Sequence, residues 1–196
     1  MSAIQDGPQT SLFTPLNIRG NKAFSDLLDC DLSDEMKAGL AHAPQGDCVA
    51  WGLPFAIGDV IVLRDGDFSI DLDPIKSRWL AFLHTSDFRP VEPNQSGYFS
   101  PMRGEGQLAE HAANYIICYQ AGDEVSVPIR RRFQLGTFQR HWGENCFEAV
   151  AHHKPRPIRA AHEQLAPSWG WTQTRVDVTD SGSWTNWLWA WENPYP

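Results

Sequence analysis

The sequence predicts an all-β protein: an antiparallel β-sandwich or jelly roll with one or two short helices in its loops. Three observations predict it. Short apolar or alternating segments recur between turn signals, helical periodicity is sparse, and the 196 residues include 9 Trp, 10 Phe and 4 Tyr. Alternation with a period of two marks a half-buried strand, and aromatic side chains favour pleated surfaces. Many short strands with little helix suit a sandwich or jelly roll.

The elements follow in order. Residues 1–12 are polar and are expected to form a flexible N-terminal segment, with residues 13–196 as one sandwich domain. Ser33 to Ala43 suits a short helix: Ser33 is a good N-cap, and Asp34 and Glu35 complement the positive end of the helix dipole. Val60–Leu63 and Phe68–Leu72 flank Asp65-Gly66, a strong hairpin signal. Trp79–Leu83 is a buried strand ending at His84. Asn114–Tyr119 is another, and Ala121-Gly122-Asp123 turns into the strand Glu124–Ile129. Phe133–Gly136 follows as a further strand. Ala160–Leu165 is the second helical candidate. Thr172–Val178 alternates, and Trp184–Trp191 is the last aromatic strand. Leu80, Phe82, Tyr115, Ile117 and Ile61 are expected in one core between two sheets, because alternate residues share a face. Two long loops separate these strands, Ser86–Glu110 and the Pro-rich Ala151–Ser168.

Composition sets the setting. Sixteen Lys+Arg against 24 Asp+Glu give a net charge of −8, which argues against nucleic acid or an anionic membrane as partner. No apolar stretch approaches the length of a membrane span. The polar start lacks a signal-peptide pattern. Cys30, Cys48, Cys118 and Cys146 include no CxxC pair, so a zinc ribbon is not indicated. Together these features point to free thiols and a cytoplasmic location. Cys118, inside the apolar run Tyr115–Tyr119, reads as a small buried thiol. Glu192-Asn193-Pro194-Tyr195-Pro196 directly follows an aromatic strand, which predicts either a docked end or a module cut from a longer protein.

Several segments, taken in order, resemble a galactose-binding-like (jelly-roll) β-sandwich module of carbohydrate-active proteins. They are Phe13-Thr14-Pro15-Leu16-Asn17 with Asn21, Trp51 to Ile57, Leu80 to Thr85, Asn114 to Asp123, Val127-Pro128-Ile129, and Trp191 to Pro196. The resemblance implies a non-catalytic module, carbohydrate-binding or structural, truncated from a longer protein. Its partner would be an oligosaccharide or the remainder of that chain, and it would be extracellular if the parent protein is exported. The resemblance also implies a structural calcium ion, for which Asn21, Asp26, Asp29 and Asp31 supply hard oxygen ligands in one loop. Two alternatives stand beside this reading: a small jelly-roll enzyme, metal-dependent or glycan-cleaving, and a protein-interaction domain using exposed aromatics.

Catalytic patterns are not evident. There is no Gly-x-Ser-x-Gly elbow, no phosphate-binding glycine loop and no His-x-His spacing. Paired acids such as Asp29/Asp31 and Asp71/Asp73 sit near turns and read as solvated carboxylates. The saccharide candidates are aromatic. In Trp169-Gly170-Trp171 the two indoles share a face about 7 Å apart, from a rise of roughly 3.3 Å per residue, and Trp142 is their expected neighbour. His84 and Arg131 are the candidate polar contacts. Arg131, within Arg130-Arg131-Arg132, suits a carboxylate on an acidic sugar; the alternative is a solvated edge that discourages aggregation.

Overall fold

The computed structural model describes residues 6–89, 93, 95–97, 108–140, 145–152 and 184–196. Across these the protein is mostly antiparallel β with short helices.

A 3-10 helix, Phe24–Asp29, leads to the α-helix α1, Asp34–Gly39, and a second 3-10 turn, Leu40–His42. The cap works as the sequence predicts, because the Ser33 hydroxyl accepts from the Met36 N–H at 3.0 Å. The helix buries Met36 and Gly39, and Leu40 follows them inward.

Strands β1, Gly46–Ala50, and β2, Leu53–Ile57, form a hairpin around Trp51-Gly52. Trp51 (φ 54°) and Gly52 (φ 83°) both adopt left-handed backbone, as a tight two-residue hairpin turn requires. That conformation is strained for Trp51, and its indole N–H is held by the Ala151 carbonyl at 2.7 Å. Within the segment expected to be flexible, the Asp6 N–H donates to Val49 O and the Thr10 N–H to Gly52 O, both at 2.8 Å.

Strands β3, Trp79–His84, β6, Val150–Ala151, and β7, Trp187–Glu192, form an antiparallel sheet in the order β3-β7-β6. Its register sets Phe82 opposite Trp189 and His84 opposite Trp187. Strands β4, His111–Cys118, and β5, Glu124–Arg130, form a hairpin that turns at Gly122 (φ 94°). One face of this hairpin carries Ala113, Tyr115, Val127 and Ile129, and it packs on Phe82, Trp187, Trp189 and Trp191. The Phe82 ring centroid lies 4.8 Å from Tyr115 and 5.3 Å from Trp189, within the range of favourable aromatic pairing. At the far end, Asn193 docks the C-terminal segment. Its side chain accepts from the Tyr119 hydroxyl at 2.5 Å and donates to Ser77 O at 2.8 Å.

Four expectations are corrected. The Val60–Leu63/Phe68–Leu72 hairpin is not formed. Val60 instead bridges Lys22, and the Asn21 side-chain amide takes both the N–H and C=O of Val62. A Cβ at Gly20 would overlap the Val60 backbone, so this approach needs glycine. Ile61 is consequently 44% exposed and outside the core. Phe133–Gly136 is a turn rather than a strand, because the N–H groups of Phe133, Gln134 and Leu135 all point to Arg130 O. Cys118 is exposed: it shares the outward face of β4 with Ile116, so the apolar run there covers one buried and one open face. All four cysteines are free thiols. The helix expected at Ala160–Leu165 and the strand at Thr172–Val178 lie outside the described residues.

Candidate functional site

The end of β3 and the turn after β5 meet around Trp187. Past His84 the chain is stitched to the turn: Ser86 N–H donates to Gly136 O at 3.1 Å, and Phe138 N–H donates to Ser86 O at 2.8 Å. Gly136 lies flat on the Trp187 indole, where a Cβ would overlap the ring. The indole N–H donates to Thr137 O at 2.9 Å. A small recess of about 10 Å³, room for about one water molecule, opens here, lined by Ser86, Arg131, Arg132, Thr137, Asn145 and Cys146 over Leu135, Gly136 and Trp187.

Arg131 forms one wall. Its guanidinium donates to the Ser86 hydroxyl at 2.9 Å, and its Nε lies 3.4 Å from the Glu110 carboxylate, which also pairs with Arg89. Burial, and next the Arg89 charge, lower the Arg131 pKa, while Asp87 raises it. A guanidinium starts so high that it remains cationic at neutral pH. Asp87 extends the network to α1, accepting from the Ser33 N–H and hydroxyl at 2.6 Å each. Arg132 forms the adjoining wall in left-handed backbone (φ 62°), a conformation that a non-glycine residue holds only where its surroundings impose it.

His84 lies behind this wall. Nε2 donates to Gln134 O at 2.7 Å and Nδ1 accepts from the Tyr115 hydroxyl at 2.6 Å, a tautomer set by those two partners. Its ring is parallel to Trp189, with centroids 6.3 Å apart. Burial pushes the imidazole down to about 4 and the Tyr115 phenol up to about 12. His84 is therefore neutral at physiological pH, with both nitrogens engaged inside the protein.

The structure thus brings His84 and Arg131 into one neighbourhood but assigns them different work. Arg131 lines the recess; His84 ties β3 to β4 and to the turn. Trp142, Trp169 and Trp171 lie outside the described residues. Three of the four oxygen ligands suggested for calcium, Asn21, Asp26 and Asp31, have partners within the protein. Asn21 holds Val62, Asp26 accepts from the Ser25 hydroxyl at 3.0 Å, and Asp31 pairs with Arg64. Among the described residues, no group of three or more His, Cys, Asp or Glu side chains is placed to hold a metal ion. Nor is any helix there long and apolar enough to cross a membrane.

Sequence reasoning missed Ser86, Thr137, Asn145 and the role of Trp187. One signal was present: Gly136 between Leu135 and Thr137, where a glycine inside an apolar stretch marks a close approach. No family model, no curated protein and no solved structure matches this chain.

Proposed function

We propose that this chain is a non-catalytic β-sandwich module of galactose-binding-like type that binds the carboxylate of an acidic saccharide at the mouth of the Ser86–Arg131–Arg132 recess. One observation carries the reading: two arginines, two hydroxyls and an amide converge around one recess. Planar guanidinium groups suit bidentate carboxylate pairing. The packing of the β4–β5 hairpin on the β3–β7–β6 sheet supports the sandwich assignment. The sequence motifs support the galactose-binding-like type. The non-catalytic reading is supported by His84, whose two nitrogens are engaged and whose low pKa suits a buried neutral group. Four free thiols support a reducing compartment, the cytoplasm.

The test is titration with oligogalacturonate and with the matched neutral oligosaccharide, followed by tryptophan fluorescence and calorimetry. The acidic ligand binds and the neutral one does not. Arg132→Ala weakens binding by about tenfold to a hundredfold, the range for a hydrogen bond to a charged group. Equal binding of the two oligosaccharides, or an unchanged affinity in Arg132→Ala, overturns the proposal.

A further inference from the structure

Residues 61–79 expose a run of large apolar side chains. Ile61, Leu63, Phe68, Leu72, Ile75 and Trp79 are each between 38% and 49% exposed. From Asp65 to Lys76, no residue makes a hydrogen bond or ion pair to another described residue. Yet the pattern there is that of a strand, with Phe68, Ile70 and Leu72 alternating with Ser69, Asp71 and Asp73. Asp65, Asp67, Asp71 and Asp73 outnumber the flanking Arg64 and Lys76. A strand-like pattern, a backbone unbonded among the described residues and an acidic edge therefore coincide in one place.

We propose that Asp67–Asp73 is a docking strand for an extended segment of a partner protein in which apolar residues alternate with Lys or Arg. The unbonded backbone groups provide the ladder, and strand addition derives its affinity from such main-chain hydrogen bonds. Phe68, Ile70 and Leu72 meet the partner's apolar residues on one face. Asp71 and Asp73 meet its cations across the pair on the other, where opposite charges stabilise a ladder and like charges destabilise it. A second copy fits poorly on that count. Antiparallel self-pairing centred on Ile70 sets Asp67 against Asp73 twice, in a chain that already carries a net charge of −8. This inference is independent of the saccharide reading and concerns a different surface.

The probe is a capped octapeptide of alternating Val and Lys, added to the full chain. Amide hydrogen exchange is read at Phe68–Leu72. With nine-tenths of the chain bound, exchange there slows by about tenfold, because it proceeds from the free fraction. A block peptide of the same composition leaves these amides fast. Asp71→Lys with Asp73→Lys removes the slowing while far-ultraviolet circular dichroism stays unchanged. Three results overturn the proposal: no slowing, equal slowing by both peptides, or amides already slow in the peptide-free chain. In the last case sedimentation shows whether another part of this chain or a second copy covers the strand.

Discussion

Two regions of this protein carry the same alternating pattern and reach different ends. In β4 and β5 the half-buried residues alternate with exposed ones, and the two strands close a ladder from His111 to Cys118 with one register shift between His111 and Ala113. Their inner face then packs on the tryptophans of β7. In residues 61–73 the alternation is as clear, and Gly66 adopts the left-handed backbone (φ 81°) that a tight turn wants. No ladder forms between Ile61 and Asp73 among the described residues. The difference is the partner. Alternation specifies which face of a segment is apolar; it does not supply the second strand or the apolar surface on which that face can be buried. Gly20 and Asn21 engage Val60 and Val62 and draw the first half of the expected hairpin away from the second.

The comparison breaks most sharply on paired truncations. Trp187 is 2% exposed and is touched by Gly136 and Thr137. Trp187→Ala is expected to cost about 3–5 kcal/mol through lost transfer energy and a residual cavity. Phe68→Ala, in the open run, is expected to change stability by less than about 0.5 kcal/mol. Chemical denaturation of both variants checks this. A Phe68→Ala cost approaching that of Trp187→Ala would show that the open run is buried against something.

A smaller effect comes from pH. The pKa of His84 falls from an ordinary 6.5 to about 4 in the folded protein, chiefly through burial. Between those values the unfolded chain binds more protons than the folded one, so stability rises with pH across that window. The His84 contribution is complete above pH 6.5 and is lost as pH falls toward 4, by about 3 kcal/mol in total. Denaturant midpoints measured from pH 7 to pH 4 report the slope. In His84→Gln the part of the slope due to this group disappears, and a slope that persists unchanged would assign the acid sensitivity to carboxylates.

How much of this was legible in the sequence depends on range. Strands β3, β4, β5 and β7 and helix α1 are written in local signals: alternation, a Gly122 turn, a Ser33 cap. Strand β1 was missed because Cys48, Val49 and Ala50 are all buried and do not alternate. Of the expected core, Phe82 and Tyr115 pack on the central cluster, Leu80 and Ile117 are half-buried, and Ile61 lies outside. The recess was the least legible part. Arg131 stands out in its basic run, but its hydroxyl partner Ser86 is 45 residues away, and Trp187 meets Thr137 across 50. Such pairings depend on how sheets stack, which local pattern does not encode.

The last prediction concerns α1, which stands between the two regions in character: its pattern is local, but its anchor is distant. Ser33 accepts from Met36 N–H and donates its own hydroxyl to Asp87, 54 residues on, while its N–H reaches the other carboxylate oxygen. Ser33→Ala removes the cap and one of the two bonds to Asp87 but leaves the backbone bond in place. A cap of this kind is worth about 0.5–2 kcal/mol, and the surviving bond keeps Asp87 from being orphaned, so about 1 kcal/mol is expected. The change should also be local. Amide exchange at Met36 and Lys37 should quicken, while Tyr115 and Val127 in the β4–β5 ladder keep their protection. If the ladder loosens together with the helix, the Ser33–Asp87–Arg131 chain couples α1 to the core as one cooperative unit. If only the helix responds, α1 is an accessory turn pinned to the loop after β3, and the cooperative part of the fold lies in the aromatic-packed sheets.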